Sequence, residues 1–552
     1  MPTDPTAAPD PRTRATVKPA ESASDTAAEA QANAQAEARA EMADLRRRAA
    51  EGDIDSFGDG ALSIAGAEAA ADDERIIKSG RLAGKSLWQS IWILSIPVLV
   101  QQLMAALVGT TDTLLAGNLP PGTAGAALDG VGFGATFMWV ATIVLMGIGI
   151  GAQAIIARAM GSGNVTEARA AGGTAVTVSF VAGIGGAIAS WFAGPIAAEW
   201  MGLSDEALRY ATEFVHIIAI SMPLMSVMMV GGMALHGAGE TVKPSVIAVA
   251  TNVVNVLCSW ALSGVVVVFG SLTIANPSSV DPSRWGVWGI AAGTSICYAV
   301  GGIWTLVVLL RGVKDFKVAP ANLLPDRVML QRITTLGIPN MLEGATMWLT
   351  TSIGVTKFIG IIAVAEGGAA GPVKGLFGAH MVTVRWESFS FLPGFAMGTA
   401  AGALAGQYMG AGSAIMARRA IWACLWIAMT IMGLLGIVFM VAGDTLAHLM
   451  SRDPVIIAEV PKTLFICGIV QVFFAMALVI RQGLKGCGDA KGTFRITLVS
   501  TVLIRVPLAY VCGVVLGWGL AGIWIGLCVE LGVRGLLFLA RFMGGNWEKV
   551  KV

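Results

Sequence analysis

The chain has 552 residues, of which 55% are hydrophobic and only 13% are charged. Soluble domains carry roughly 25% charged residues, so this composition excludes an ordinary soluble protein and favours one that lies within a lipid bilayer. The formal net charge of +1 provides no strong field for nucleic acid, and we expect no nucleic-acid partner.

The first 84 residues differ from the rest, because they are rich in Ala, Glu, Asp, Pro and Thr and contain no apolar run. A short Ala/Glu/Arg stretch near residues 27–51 favours a helix, and the remainder is predicted to be disordered. No basic segment precedes an apolar one, so no secretory signal peptide is expected. We predict a disordered cytoplasmic tail over residues 1–84.

Apolar segments then recur, separated by short polar breaks. Their length and composition predict an all-α integral membrane protein with about 12 transmembrane helices. Several segments exceed 25 residues, so tilted helices are expected. The predicted spans are residues 88–116, 131–157, 170–197, 209–235, 244–270, 286–310, 328–362, 374–402, 419–445, 461–483, 494–517 and 519–541.

Lysine and arginine are concentrated in alternate loops, with 21 such side chains in one set and five in the other. Cytoplasmic loops carry the positive excess. We therefore expect both termini in the cytoplasm, which requires an even number of spans. The helical spans and the lack of a targeting signal predict a multi-pass protein of a bacterial-type inner (plasma) membrane.

An internal repeat divides the chain into two six-helix halves of the same topology. Residues 160–169 resemble residues 409–418, and residues 235–240 resemble residues 484–489, both at an offset of 249. Two further matches, at offsets of 242 and 233, join residues 96–101 to 338–343 and residues 285–289 to 518–522. The predicted domains are bundles over residues 85–312 and 328–545, a linker over 313–327 and a C-terminal tail over 546–552.

Six spans in each half relate the halves by an axis along the membrane normal. Such parallel repeats are a design of secondary transporters, in which the substrate site lies at the repeat interface and the halves rock to give alternating access. The repeat completes the interface within one chain, so a functional monomer is expected.

The repeated segments resemble the multidrug and toxic compound extrusion (MATE) family over about residues 88–545. The similar motifs are Ile96-Pro97 through Asp112-Thr113 to Gly117, Leu235-x-Gly-x-Gly-Glu240 through Asn255, His380 through Glu387 to Gly412, and Leu484-Lys-Gly-Cys-Gly-Asp489. The resemblance implies two six-helix bundles around a V-shaped cavity. It also implies export of small cationic or amphipathic organic compounds, driven by entry of H⁺ or Na⁺.

The ion sites of two family branches, NorM and DinF, are not fully present. The helix-7 acid of the NorM branch falls at Met347, with Glu343 one turn earlier, and its helix-10 acid falls at Phe474. In the DinF branch an acid follows the helix-5 asparagine by four positions, and the residue four positions after Asn255 is Ser259. The resemblance therefore does not select between H⁺ and Na⁺.

Ionisable side chains inside hydrocarbon are costly and mark candidate functional sites. Asp112 is the strongest candidate, because no basic residue is near it in sequence and Thr110, Thr111 and Thr113 can add oxygen ligands. A carboxylate shielded from water can take up a proton, or bind Na⁺ when ionised. We predict cation coupling at Asp112, with Asn255 as a neighbouring ligand and Glu343 as a second acidic site.

Three further residues are predicted to line the substrate cavity, namely Gln101, His380 and Glu387. Glu530 and Arg534 are spaced i, i+4 and are expected to pair with each other. The seven cysteines and four histidines show no metal-ligand spacing, so no structural metal, disulfide or other cofactor is expected.

Three alternatives remain at this stage. A lipid-linked oligosaccharide flippase has a related architecture, but its cavity should be more basic than one containing Asp112 and Glu343. An integral membrane transferase, or a channel, would need a clustered polar site or a filter, and neither pattern is visible. We therefore expect a transporter and not an enzyme.

Overall fold

The computed structural model describes residues 76–120, 123–269, 272–368, 373 and 375–550. These residues contain twelve helices long and apolar enough to cross a membrane, which confirms the predicted number. The helices are α1 (Leu87–Gly117), α2 (Ala124–Ser162), α3 (Val165–Trp200), α4 (Asp205–Gly237), α5 (Val242–Ser263), α6 (Pro282–Arg311), α7 (Arg327–Gly367), α8 (Leu376–Gly410), α9 (Ala414–Met450), α10 (Pro454–Gly486), α11 (Ala490–Val515) and α12 (Gly519–Met543). We refer to α1–α6 as the N-terminal half and to α7–α12 as the C-terminal half.

The predicted fifth span is too long at its C-terminal end. Helix α5 ends at Ser263, and Gly264 follows with a φ of +68°. The apolar residues beyond it form an antiparallel hairpin of strands β1 (Val267–Phe269) and β2 (Leu272–Ile274). A short apolar run does not by itself distinguish a helix from a strand, which explains the error.

The repeated turns have the same backbone geometry in both halves. At the end of α4, Gly239 has a φ of +79° and the Glu240 amide donates to the Leu235 carbonyl at 2.8 Å. At the end of α10, Gly488 has a φ of +94° and the equivalent Asp489 to Leu484 bond is 2.9 Å. Glycine adopts this left-handed conformation at no steric cost, so the repeated glycines specify the repeated turn.

The two halves touch through a second pair of repeated residues. The α-carbon of Gly161, at the end of α2, lies against the backbone of Gln407 on α8, and that of Gly410 lies against the backbone of Arg158 on α2. Both relations keep the offset of 249 seen in the sequence. The crossing of α2 and α8 is thus a symmetric contact at the end of the bundle where α1 begins and α12 ends, which we call the terminal end.

A short segment before α1, residues 76–85, packs across the terminal end. Ile77 and Leu82 are buried, the Arg81 guanidinium pairs with Glu240 at 2.8 Å, and the Gly80 amide donates to Asp315 at 2.9 Å. Packing therefore begins before residue 84, the predicted end of the disordered tail. Residues 1–75 of that predicted tail lie outside the described residues.

Two helices of the C-terminal half contain π-helical turns. Residues Leu349–Val355 of α7 form one, and residues Thr501–Arg505 and Val511–Val515 of α11 form two more. Pro507 lies between the two turns of α11 and has no amide hydrogen to continue the α-helical ladder, which gives a physical reason for the irregularity there.

Candidate functional site

The buried carboxylate of Asp112 forms the centre of a polar cluster in the N-terminal half. Asp112, on α1, is only 6% exposed, and its two oxygens lie 2.9 and 3.0 Å from the hydroxyl of Thr294 on α6. The amide nitrogen of Asn255, on α5, donates to the same hydroxyl at 2.8 Å and to Ser259 at 3.3 Å. We call Asp112, Thr294, Asn255 and Ser259 the Asp112 cluster.

A row of glycines on α6 brings Thr294 into this position. Gly286, Gly289 and Gly293 are spaced along one face of α6, and the last two lie against the backbone of α5 at Leu262 and Ser259. Side chains at these positions would separate the two helices, so the glycines allow the close approach that membrane helices commonly use. The neighbouring Thr294 then reaches α1.

Helix α1 is held against α5 by side chains that bond to its backbone. Pro97 has no amide hydrogen, so the Ile93 carbonyl lacks its usual helical donor, and the Thr241 hydroxyl supplies one at 2.9 Å. The amide of Asn252 donates at 2.9 Å to the carbonyl of Met104, which precedes Asp112 by about two turns of α1. These bonds fix the depth of Asp112 relative to Asn255.

The cluster offers oxygen atoms to a cation and contains no cation of its own. Among the described residues, Asp112 has no ion-pair partner, and the side-chain oxygen of the fully buried Asn255 accepts no hydrogen bond. A buried carboxylate beside an unused amide oxygen can hold a proton or a small hard cation, both of which neutralise the charge.

The predicted neighbours of Asp112 were partly wrong. The hydroxyls of Thr110, Thr111 and Thr113 donate to carbonyls one turn earlier in α1, at 2.9 to 3.0 Å, and do not serve Asp112. The hydroxyl that does is Thr294, which the sequence analysis missed. The glycine spacing on α6 was visible, but it does not indicate which neighbouring residue faces α1.

Replacing Thr294 with valine should make proton binding at Asp112 about 10- to 100-fold tighter, because the ionised carboxylate loses a hydrogen bond that contributes about 1.5–3 kcal/mol. Valine keeps the shape and removes the donor. The measurement is the cation concentration, as pH or Na⁺, that gives half-maximal transport in proteoliposomes. Thr430→Val, on the exposed face of α9, is the matched control, and equal values for Thr294→Val and wild type would contradict this role.

Glu343 occupies a different setting from the one predicted. It is 1% exposed, and its carboxylate pairs with Arg481 at 3.1 Å and with Lys485 at 2.9 Å, both on α10. Thr497 on α11 also donates to it at 3.0 Å. We call these four residues the Glu343 cluster. Two basic side chains already neutralise this acid, so it has no uncompensated negative charge for a mobile cation.

A second ionic cluster lies deeper in the C-terminal half. Glu530 is fully buried and pairs with Arg534 at 3.3 Å, which confirms the pairing expected from their spacing. Arg505 on α11 also pairs with Glu530 at 2.9 Å, and Ser500 donates to it at 2.8 Å. We call these four residues the Glu530 cluster. It contains two arginines for one carboxylate.

The repeat relates Glu343 to Gln101 and not to Asp112. In the N-terminal half, His236 Nε2 donates to Gln101 Oε1 at 3.1 Å, and in the C-terminal half Lys485 pairs with Glu343. These are the same two repeat positions, neutral in one half and ionic in the other. At the repeat offsets, Asp112, Asn255 and Thr294 correspond to Gly354, Ile504 and Leu527, so the Asp112 cluster occurs in one half only.

The other predicted cavity residues lie within α8. His380 is 5% exposed and its ring packs against that of Trp524 on α12, with centroids 5.6 Å apart. Glu387 is half-buried two turns further along the same helix. Contact of Gln101, His380 and Glu387 with a substrate stays a prediction, as do the coupling roles of Asp112, Asn255 and Glu343.

The chain resembles known transporters over most of its length. A NorM protein of Thermotoga maritima, described as a probable multidrug resistance protein, is 26% identical over 83% of this chain and 92% of its own length. The uncharacterized transporter YisQ of Bacillus subtilis is 24% identical over 83% and 94%. The twelve spans and these relatives support a multi-pass inner-membrane protein.

Solved structures share the fold. An outward-facing multidrug resistance MATE transporter of the MOP superfamily superposes with a TM-score of 0.74, covering 87% of this chain and 99% of its own, at 19% identity. A MATE structure in the bent conformation gives 0.72, with 86% and 98% covered, also at 19% identity. The predicted fold of twelve helices in two bundles is therefore confirmed.

The MatE family model matches residues 97–261 and 376–511, which include Asp112, Asn255 and Glu387. These matches cover parts of both halves and more than half of the chain. They agree with the transporter architecture and confirm that the chain is not an enzyme. The chain belongs to the MatE family of multidrug and toxic compound extrusion transporters.

Proposed function

We propose that this protein exports small cationic or amphipathic organic compounds across the inner membrane, in exchange for H⁺ or Na⁺ that binds at Asp112. The observation that carries the proposal is the contrast between buried acids. Glu343 and Glu530 each have two basic partners, whereas Asp112 has none among the described residues. The multidrug resistance names of several relatives support the substrate class.

The charge of Asp112 sets the mechanism. An empty, ionised Asp112 is costly in its buried site, so the site favours either a proton or a cation, or a conformation that exposes the carboxylate to water. Binding can drive export only if the cation prefers one facing state and the organic compound prefers the other. We propose that the two compete for this negative charge through alternating access.

Helix α1 connects the Asp112 cluster to the contact between the halves. Its first turns place Leu87, Ile91 and Leu94 in one buried cluster with Met397 and Leu404 of α8. Asp112 lies further along the same helix, bound to α6. We propose that a change of occupancy at Asp112 shifts α1 against α5 and α6, and that this shift loosens or tightens the contact with α8.

The coupling role predicted for Glu343 is not part of this proposal. Lys485 and Arg481 take the place that a mobile cation would otherwise occupy, and removal of the Glu343 carboxylate would leave both basic groups without their partner. Both termini are proposed to face the cytoplasm. The contact between α2 and α8 at the terminal end then closes the space between the halves on the cytoplasmic side. One chain supplies both halves, and we propose that it acts as a monomer.

One observation favours a second candidate, the export of an anionic lipid-linked sugar. The Glu343 and Glu530 clusters together contain four basic side chains and two acids. The expectation that acids outweigh bases inside the membrane therefore holds for the N-terminal half and not for the C-terminal half. A basic cavity suits a pyrophosphate, which is the feature expected of a flippase.

Dye efflux tests the proposal. Wild type, Asp112→Asn and Asp129→Asn are compared at equal membrane abundance, with Na⁺ and pH gradients imposed separately. Asp129 is an exposed carboxylate on α2 and is the matched control. Wild type and the control should export a cationic dye under one gradient. Asp112→Asn should lose at least about tenfold in export rate, because asparagine carries no negative charge for the cation to neutralise.

Two results would overturn the proposal. Export by Asp112→Asn at the wild-type rate would remove Asp112 from coupling. Failure of wild type to move any cation under either gradient would remove drug export and make the anionic substrate the leading candidate.

A further inference from the structure

A row of polar side chains runs along the contact between α8 and α10. On each helix, the residues of the row are three or four positions apart and therefore lie on one face of that helix. On α8 these are Thr383, Glu387 and Ser390, and on α10 they are Thr463, Cys467 and Gln471. We call these six residues the polar seam. It starts near the end of the bundle opposite the terminal end, where α8 begins.

Contacts between facing residues make the seam continuous. The hydroxyls of Thr383 and Thr463 are 2.7 Å apart, and Ser390 donates to the side-chain oxygen of Gln471 at 3.1 Å. Between these two pairs, the helix spacing places Glu387 at the level of Cys467, whose sulfur accepts from the side-chain amide of Gln471 at 3.1 Å. Glu387 is thus the one carboxyl group of the seam, and it lies in the middle of it.

Glu387 has no cation of its own among the described residues. The basic group that acts on it is Arg505 of α11, which already binds Glu530 through Nε at 3.0 Å and Nη2 at 2.9 Å. The other titratable groups near it are the thiols of Cys467 on α10 and Cys528 on α12. Arg385, on its own helix, is exposed.

The surrounding ligands suit a proton better than a metal ion. The hydroxyls of Thr383 and Ser390 are engaged by Thr463 and Gln471, and the remaining neighbour of the carboxyl group is a soft sulfur atom. Na⁺, a hard cation, needs several free oxygen ligands. Protonation requires none, and it removes the charge of a carboxylate that lies inside the membrane.

A histidine lies between Glu387 and the nearer end of the bundle. His380 precedes Thr383 by one turn, on the same face of α8, and its Nδ1 is buried without a hydrogen-bond partner. A free imidazole nitrogen can accept a proton and pass it on. Chains of Asp, Glu and His within membrane spans form proton relays in other transporters.

We propose that Glu387 is a second proton-binding site, reached past His380 from the end opposite the termini and filled independently of Asp112. The two sites lie in different halves, and no residue belongs to both the Asp112 cluster and the polar seam. The proposal concerns proton binding itself, so it does not depend on the coupling role of Asp112 or on the substrate.

Infrared spectroscopy of the full-length protein in liposomes, without substrate, tests the proposal. A protonated carboxyl group gives a C=O stretching band that a carboxylate lacks. In an Asp112→Asn background, acidification should produce a band that Glu387→Gln removes and Glu387→Asp retains at a shifted position. Glu459→Gln, which alters a half-buried carboxylate in a surface ion pair with Lys462, is the control and should leave this band unchanged.

The role of His380 has its own readout. After rapid acidification of the compartment facing the opposite end, His380→Phe should keep the full band but delay its appearance at least about tenfold, since a relay group is missing. An unchanged rate would overturn entry past His380. A carboxyl band that persists unaltered in Glu387→Gln would overturn the second site, whatever the export assay shows for Asp112.

Discussion

Replacing Gly161 with leucine should abolish export while the protein still reaches the membrane. A Cβ atom at this position would lie 2.6 Å from the carbonyl carbon of Gln407, and a main-chain atom cannot move aside as a flexible side chain can. Leucine therefore forces α2 and α8 apart at the terminal end. Gly410→Leu should have the same effect, because Gly410 meets Arg158 in the symmetric contact.

Two measurements distinguish a transporter held open at the terminal end from a misfolded one. Cys487 is 1% exposed at the terminal end, so opening should raise its rate of labelling by a thiol reagent at least about tenfold. Cys424, buried within the C-terminal half, should stay unlabelled unless the protein unfolds. Gly532→Ala, which meets no atom within 4 Å, is the control. Normal export by both leucine variants would show that this contact does not form during transport.

Replacing Glu530 with glutamine should produce the largest loss of stability among single substitutions in the C-terminal half. The change leaves Arg505 and Arg534 buried without their carboxylate, and removing one partner of a buried ion pair costs about 3–5 kcal/mol. The expected result is a clearly lower midpoint of thermal unfolding in detergent.

Two comparisons give this prediction a control. Glu459→Gln removes an exposed pair with Lys462, and surface pairs contribute about 0–1 kcal/mol, so its midpoint should hardly change. Replacing Glu530, Arg505 and Arg534 together by apolar residues of similar size should recover much of the loss, since no charge is then left unpaired. A wild-type midpoint for Glu530→Gln would mean that the two arginines find other partners.

The number of membrane spans could be predicted from the sequence because each span is an apolar run long enough to cross a bilayer. The positions of turns were also accessible, since Gly239 and Gly488 are needed where the backbone enters the left-handed region. What apolarity could not specify was the conformation of the short run after Ser263, where a helix and a strand are equally apolar.

The candidate site was only partly accessible from the sequence. Asp112 was identified because a lone acid in an apolar run is costly, and this argument needs no partner. Glu343 met the same criterion, but its partners Arg481 and Lys485 are about 140 residues away in the chain, and a single sequence does not show which helices pack together. Thr294 was missed for the same reason.

The repeat was more informative than any single motif. Gln101 and Glu343 were matched as equivalent positions, as were His236 and Lys485. The structure brings Gln101 into contact with His236 in one half and Glu343 into contact with Lys485 in the other. A contact in one half thus predicts the contact at the matched positions of the other half, even where the chemistry has changed from neutral to ionic.

The π-helical turns of α7 and α11 face each other at the depth of the Glu530 cluster. Arg505, at the end of one turn, donates to Thr351 in the other at 3.0 Å and is held by Glu530 at the same time. π-Helical turns interrupt the regular α-helical ladder and often mark functional positions. Irregular backbone and charge therefore lie at one level of the C-terminal half. We expect α7 and α11 to bend together at this level, because Arg505 joins the two irregular turns to one buried carboxylate.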